Sequence, residues 1–192
     1  KPLDLRDELN LSNDAKLVAN FSALADHKDY FTFIDTAKIV CNARDDVYFL
    51  IFGKGELEDE LRSYANQSGY AQRIVFVGFR NDLPQVYPNI DVLLFTSKTE
   101  GLGTTVLDAF ASKVPVVATQ AGGIPEMVID GETGLLAKIG DASTLAINVQ
   151  RVLDEPNLQH RLTEAALQKC QTFSKDVMVR QTEESYNKVL NN

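Results

Sequence analysis

Asp91-Val92-Leu93-Leu94-Phe95-Thr96-Ser97-Lys98-Thr99-Glu100-Gly101-Leu102-Gly103-Thr104-Thr105-Val106-Leu107-Asp108-Ala109-Phe110-Ala111 passes from an apolar run through a loop into a glycine-led amphipathic segment. Residues 91–95 have the near-continuous apolar character of a strand buried on both faces. Val106, Leu107, Phe110 and Ala111 return at helical spacing, and 115–119 is a second buried strand. Strand, helix, strand in that order means a parallel pair joined by a right-handed crossover. The same unit is legible upstream. Lys16–Phe21, Val47–Phe52 and 73–77 read as strands, separated by the helical stripes Phe33, Ile34, Ala37, Val40, Cys41 and Leu57, Leu61, Tyr64, Ala65. The prediction is an α/β fold: a Rossmann-like, doubly wound parallel sheet with helices on both faces.

Downstream, Ala121-Gly122-Gly123-Ile124-Pro125-Glu126 predicts a turn and a short helix, and Gly131-Glu132-Thr133-Gly134-Leu135-Leu136 a turn entering a last short strand. The C-terminal part is helical. Asp141 is placed to cap a helix carrying Leu145, Ala146, Val149, Val152 and Leu153, and Pro156 to start another carrying Leu158, Leu162, Ala165 and Ala166. Ser174 is expected to cap a final helix over 174–192. Gln181 and Thr182 interrupt its stripe of Val177, Met178, Tyr186, Val189 and Leu190, so it is expected to pack on something outside this chain.

A length of 192 residues suits one full core, so a single domain over 1–192 is expected. The composition, 44% hydrophobic with no apolar run of membrane-spanning length, is that of a globular domain. A net charge of −8 argues against nucleic acid as a partner, because counterion release needs a dense basic surface. An acidic protein that binds an anionic ligand must use local donors, and Lys28, Arg80 and helix starts are the candidates. Cys41 and Cys170 lie far apart, each on an apolar helix face; they read as buried thiols, which favours a reducing, cytoplasmic compartment. Lys1-Pro2-Leu3-Asp4-Leu5-Arg6 lacks an initiating Met and a signal peptide's apolar segment, and it reads as a cut inside a longer chain. The Asn-x-Ser triplets at Asn10, Asn20 and Asn66 carry no weight, since Asn20 ends a core strand.

The chemistry concentrates at the glycine-led helix start. First-turn N–H groups have no intrahelical partner, so Gly101, Gly103, Thr104 and Thr105 can aim donors at a phosphate. Glu100 and Asp108 would repel a bare phosphate but accept hydroxyls on either side of one, as in the ribose and sugar of a nucleotide-sugar. Ligands of open parallel sheets bind beyond the carboxyl ends of the strands. The loops 22–28, 53–55, 78–80, 97–103 and 120–123 all fall there, and one crevice is expected to gather them.

Rival motifs fail. Gly53-Lys54-Gly55 is followed by Glu58, and Gly101-Leu102-Gly103 by Val106, where a dinucleotide fingerprint needs its third glycine. No phosphate-loop triphosphatase motif is present. His27 and His160 are the only histidines and have no ligand-spaced partners, so no metal site is expected. No serine or cysteine nucleophile stands in recognisable context. Glu100 and Asp108 as a glycosidase pair would need their carboxyls a few ångströms apart across a sugar. Plainer readings stand beside each candidate. Asp108 sits opposite the Val106–Phe110 stripe, where a solvated carboxylate is ordinary, and Glu100 favours a helix dipole by about 0.3–1 kcal/mol. Lys28 and Arg80 also read as surface cations, and Gly53, Gly55, Gly122 and Gly123 as turn residues.

Several segments, in this order and spacing, resemble the C-terminal, donor-binding half of family 4 retaining glycosyltransferases, which have the two-domain GT-B fold. They are Val18-Ala19-Asn20 with Leu24 to Lys28, Ile51-Phe52-Gly53-Lys54-Gly55-Glu56-Leu57, Val75-Phe76-Val77-Gly78-Phe79-Arg80, Glu100-Gly101-Leu102-Gly103, Pro115-Val116-Val117-Ala118-Thr119, Gly122-Gly123-Ile124-Pro125-Glu126 and Gly131-Glu132-Thr133-Gly134. The likeness covers nearly the whole chain. It implies that Glu100, the catalytic candidate, meets hydroxyls of the transferred sugar, and that N–H groups from Leu102 to Thr105 hold the distal phosphate. Lys28 would meet the diphosphate and Asp108 the ribose diol. The loop around Phe79 and Arg80 would border the base, with Gly53 among the donor-binding positions. It also implies no cofactor or metal and a nucleotide-sugar donor such as a UDP-sugar. The other partners it implies are the enzyme's own N-terminal domain, on which 174–192 would pack, and an acceptor saccharide, lipid or other hydroxyl compound. Membrane association is expected only through that other domain, and the fragment alone is expected to be inactive. Two positions depart from the pattern: Asp108 stands where the family usually has Glu, and Ala23 where many members carry Arg. These departures keep a second reading open, a non-catalytic nucleotide-sugar-binding module with a degenerate site.

Overall fold

In the computed structural model, residues 3–173 and 186 are described. The elements are α1 (Leu5–Glu8), β1 (Lys16–Phe21), α2 (Tyr30–Ala43), β2 (Val47–Phe52), α3 (Glu58–Gln67), β3 (Ile74–Gly78), α4 (Leu83–Val86), β4 (Val92–Phe95), α5 (Thr104–Ala111), β5 (Val116–Thr119), α6 (Ile124–Met127), β6 (Leu135–Ala137), α7 (Ala142–Asp154) and α8 (Pro156–Gln171). The six strands are parallel and lie in the order β3-β2-β1-β4-β5-β6. This is the predicted doubly wound sheet. The winding direction reverses between β1 and β4, and a crevice opens at such a point because the flanking loops turn away from each other.

The strand side chains alternate between two cores. Val18, Phe49, Ile51 and Leu94 face α2, α3 and α7, while Leu17, Ala19, Phe21, Leu50, Phe52, Leu93 and Phe95 face α1, α4, α5 and α6. Helix α8 serves both, with Leu158 and Leu162 in the first core and Ala166 in the second. Phe33, Phe49 and Phe110 are fully buried, and each such side chain contributes about 1.5–3 kcal/mol relative to exposure. The expected caps form: Asp141 accepts from Thr144 N–H at 3.0 Å, and Pro156 occupies the first turn of α8. Asn20 is buried in β1. Both cysteines are free thiols; Cys41 is buried, and that burial pushes its thiol up to about 11, whereas Cys170 is only partly buried.

Some boundaries differ from expectation. Arg73 closes a single 3-10 turn instead of entering β3, and its guanidinium caps the carbonyls of Cys41 and Arg44. Asp91 precedes β4 because its carboxylate is engaged elsewhere, accepting from Leu17 N–H at 2.8 Å and Arg6 at 2.7 Å. In α3, Tyr64 lies outside the buried stripe and donates its hydroxyl to Asp35. In α5 the buried stripe is Val106, Ala109 and Phe110, with Leu107 at its edge and Ala111 exposed. The helix expected over 174–192 lies outside the described residues. Among the described residues, no helix is long and apolar enough to cross a membrane.

Candidate functional site

Close backbone contacts bring the loops after β1, β2 and β3 together. Gly53 has φ +143°, and a Cβ there would lie 2.0 Å from the Ser22 carbonyl oxygen, so only glycine lets these loops touch. Gly53 N–H donates to Gly78 O at 3.0 Å, and Leu24 N–H to Lys54 O at 3.1 Å. On the other side of the crevice, Gly122 (φ +50°) lets the loop after β5 press on the loop after β4. A Cβ there would be 1.9 Å from the Glu100 carbonyl oxygen, which also accepts from Gly123 N–H at 3.1 Å. The paired glycines thus fix the loop that carries Glu100.

A cavity of about 340 Å³ opens between the first three loops, α4 and α5. Its inner wall is aromatic: Phe52 stacks on Phe21 with centroids 4.5 Å apart, and Tyr87 tilts against Phe21 at 4.6 Å. Leu83 completes the apolar part. Gly53, Lys54, Phe79, Arg80, Thr105 and Asp108 line the remainder, with Ser22 and Ala23. Phe79 is 71% exposed, an aromatic face that the described residues leave uncovered. Thr105 ties α5 to the end of β1 by donating its Oγ1 to Phe21 O at 3.0 Å. Asp108 reaches solvent, yet the surrounding protein partly desolvates its carboxyl and holds its pKa above the usual aspartate range. Its charge also contributes to holding the Tyr87 hydroxyl's pKa up, secondary to that group's burial.

Arg80 is not a free cation. Its Nε and Nη2 bind both oxygens of Asp82 at 2.8 and 2.6 Å, and Nη1 donates to Glu8 of α1. Two carboxylates outweigh one guanidinium, which makes Arg80 a poor electrostatic lure for phosphate; what remains for the cavity is its flat face and stem. The expectation that Arg80 serves as a local anion donor meets a guanidinium already held by two carboxylates.

Lys28 and Glu100 lie outside this cavity and hold each other. Lys28 Nζ donates to Glu100 Oε2 at 2.6 Å, with the two side chains 16% and 13% exposed. The ammonium also lies 5.6 Å from the Phe95 ring centroid, and Ser97 Oγ is 3.4 Å from the same carboxylate oxygen. The main chain at Lys28 is fixed by Thr96 Oγ1 donating to its carbonyl and by Lys98 N–H donating to that of His27. Between the pair and the cavity lies the start of α5, which carries no side-chain cap. Gly101 and Leu102 are exposed there, whereas Gly103 is packed against Ile124 and Met127. Thr104 N–H donates to Leu102 O at 2.9 Å, so that one of the four expected phosphate donors is already engaged.

The expected single crevice is therefore a cavity and an adjoining ion pair that share the start of α5. Sequence reasoning missed Phe21, Phe52, Leu83 and Tyr87 as wall residues. Their signal was present for the first two: each is the last residue of a strand, and its register turns it toward the crevice face.

The chain matches the family model of glycosyl transferases group 1 over residues 3–169. It is 30% identical over 159 residues to the lipopolysaccharide core biosynthesis glycosyltransferase LpsE of Rhizobium meliloti, covering 83% of this chain and 46% of LpsE. Among solved structures, Anabaena HepE in complex with UDP-glucose superposes with a TM-score of 0.85 at 27% identity, over 96% of this chain and 51% of HepE. The C-terminal domain of the Francisella tularensis group 1 glycosyl transferase LpcC gives a TM-score of 0.75 at 25% identity, over 82% of this chain and 85% of that domain. The chain spans about half the length of the curated relatives it matches.

Proposed function

The chain belongs to the group 1 glycosyl transferases, with their GT-B Rossmann-like fold, and from that premise we propose that it is the donor-binding half of a retaining hexosyltransferase that uses a UDP-sugar. The observation that carries the reading is the cavity at the sheet's reversal point. There an uncovered aromatic side chain, a carboxylate and the first turn of an uncapped helix face one space. A base against Phe79 and the face of Arg80 would place the ribose diol at Asp108 and the diphosphate at the start of α5. The sugar would then reach Glu100.

Each group has a defined task. The Asp108 carboxylate accepts from the ribose hydroxyls. It is one methylene shorter than a glutamate, which leaves room for a bridging water. Backbone N–H groups and Lys28 stabilise the diphosphate as its bond to the anomeric carbon breaks, and charge developing on a leaving oxygen is what preorganised donors stabilise best. The Lys28–Glu100 pair must part for this: phosphate takes the ammonium, and sugar hydroxyls take the carboxylate. Glu100 then orients the sugar while an acceptor hydroxyl attacks on the face from which the diphosphate leaves, its proton passing to the departing phosphate oxygen, and this retains the anomeric configuration. The acceptor and the surface that holds it belong to the enzyme's other half, and no metal is invoked because the charge is met by protein donors. One relative, Anabaena HepE, which is 26–27% identical and was solved with UDP and with UDP-glucose, supports uracil as the base.

Titrating the chain with UDP-, GDP- and ADP-glucose tests the reading, and selective binding of the uridine compound is expected. Binding of none of the three overturns it. Binding with no transfer by the longer protein would favour the non-catalytic module, a reading that the departures at Ala23 and Asp108 keep specific.

A further inference from the structure

We infer that Lys54 is the cation that first meets the diphosphate in this chain; the inference rests on the nucleotide-sugar reading above. Among the described residues, four cations stand on the loops that border the crevice, Lys28, Arg80, Lys98 and Lys54, and three are committed, Lys98 to Asp26 at 2.8 Å. Lys28 is held by Glu100, and Arg80 by Asp82 and Glu8. Lys54 lines the cavity wall beside Ser22 and Ala23, its residue is exposed, and no ion pair or side-chain hydrogen bond engages its ammonium among the described residues.

Charge makes this difference matter. The Lys28–Glu100 pair cancels, the Arg80 cluster carries more carboxylate than guanidinium, and Asp108 adds another acid to the same cavity. A doubly charged diphosphate that approached these groups alone would meet net repulsion. An ammonium on a flexible four-carbon stem, with no partner to give up, offsets half of that excess and gives the phosphate a local attraction at no desolvation cost beyond its own. The backbone fixes the base of that stem: Lys54 O accepts from Leu24 N–H, and the Gly53 contact with Ser22 holds the two loops together. Ala23 puts only a methyl group on the same wall, and Thr105 of α5 lines that cavity too.

Calorimetric titration of the 192-residue chain with UDP and, separately, with uridine tests this. Lys54→Met is expected to weaken UDP binding about 10-fold while uridine binding stays within about twofold, because a charge-assisted contact is lost only where phosphate is present. Lys54→Arg is expected to keep most of the UDP affinity. In the Met variant, UDP binding should also depend less steeply on salt. Because Lys54 is exposed, both variants should melt as the unaltered chain does. UDP affinity unchanged in Lys54→Met, equal losses for UDP and uridine, or Lys54→Arg as weak as the Met variant would each overturn the inference while leaving the donor reading intact. Failure of the unaltered chain to bind UDP would remove the donor reading and the inference with it.

Discussion

The cavity and the Lys28–Glu100 pair flank the same helix start and are made of opposite materials. The cavity is walled by rings that pack on one another, Phe52 on Phe21 on Tyr87, and its shape is fixed by the same contacts that hold the core. The pair is two opposite charges at 2.6 Å, mostly shielded from water, and it satisfies itself until something displaces it. A pocket built from core contacts is ready for its ligand. An ion pair made from functional groups is not, because each member must exchange its partner for a ligand group of equal strength. On the donor reading proposed above, nucleotide recognition is preformed and sugar recognition requires rearrangement.

The sharpest way to break this contrast is Glu100→Ala. Transfer by the longer protein is expected to fall about 10- to 100-fold, from the loss of charged hydrogen bonds worth about 1.5–3 kcal/mol. UDP affinity of the chain should not fall, since Lys28 is released for phosphate. A parallel loss of both would mean that the two regions are one site. Next in size is Gly122→Ala, where a Cβ would sit 1.9 Å from the Glu100 carbonyl oxygen. It should cost about 1–3 kcal/mol of stability in chemical denaturation and depress transfer more than uridine binding.

On the cavity side, Asp108→Asn is expected to weaken UDP about 5- to 30-fold, and to weaken 2′-deoxy-UDP less, the difference between a charged and a neutral acceptor. The pH dependence has a defined sign. The Asp108 pKa is raised by desolvation, so acidification removes the ribose acceptor at a higher pH than an ordinary aspartate would set. The same shift means that the ionised form costs folding stability, a cost that grows as pH rises through the folded-state pKa and is absent below the unfolded one. Asp108→Asn should therefore melt no lower than the unaltered chain at pH 7, with the advantage fading in acid. Smallest is Phe79→Ala, which removes a stacking face worth about 0.5–1.5 kcal/mol. It should weaken UDP by up to about 10-fold and leave the melting temperature unchanged, because the ring is 71% exposed. A large drop in stability would show that Phe79 belongs to the core.

Legibility in the sequence followed the strength of local signals. The strands at Lys16–Phe21 and Val47–Phe52 were readable to the residue because apolar runs bounded by turns have few alternative conformations. The boundary at Asp91 was not readable, since its carboxylate is drawn to Leu17 and Arg6, which are distant in sequence. Tyr64 has helical spacing yet faces solvent, because Asp35 on α2 gives its hydroxyl a partner there. The candidate positions Lys28, Gly53, Phe79, Arg80, Glu100, Thr105 and Asp108 were nameable from motif, topology and resemblance. Their partners were not.

Sequence alone determined the parallel α/β architecture and the set of loops that gather beyond the carboxyl ends of its strands. Those follow from hydrophobic period and from glycines at fixed offsets, which act within a few residues. Tertiary structure decided that Arg80 is neutralised by Asp82 and Glu8, that Lys28 and Glu100 hold each other, and that no described residue pairs with the Lys54 ammonium. Electrostatic pairing depends on distances between side chains that lie 72 residues apart in both Lys28–Glu100 and Glu8–Arg80, and no local pattern encodes a distance that only the folded sheet creates.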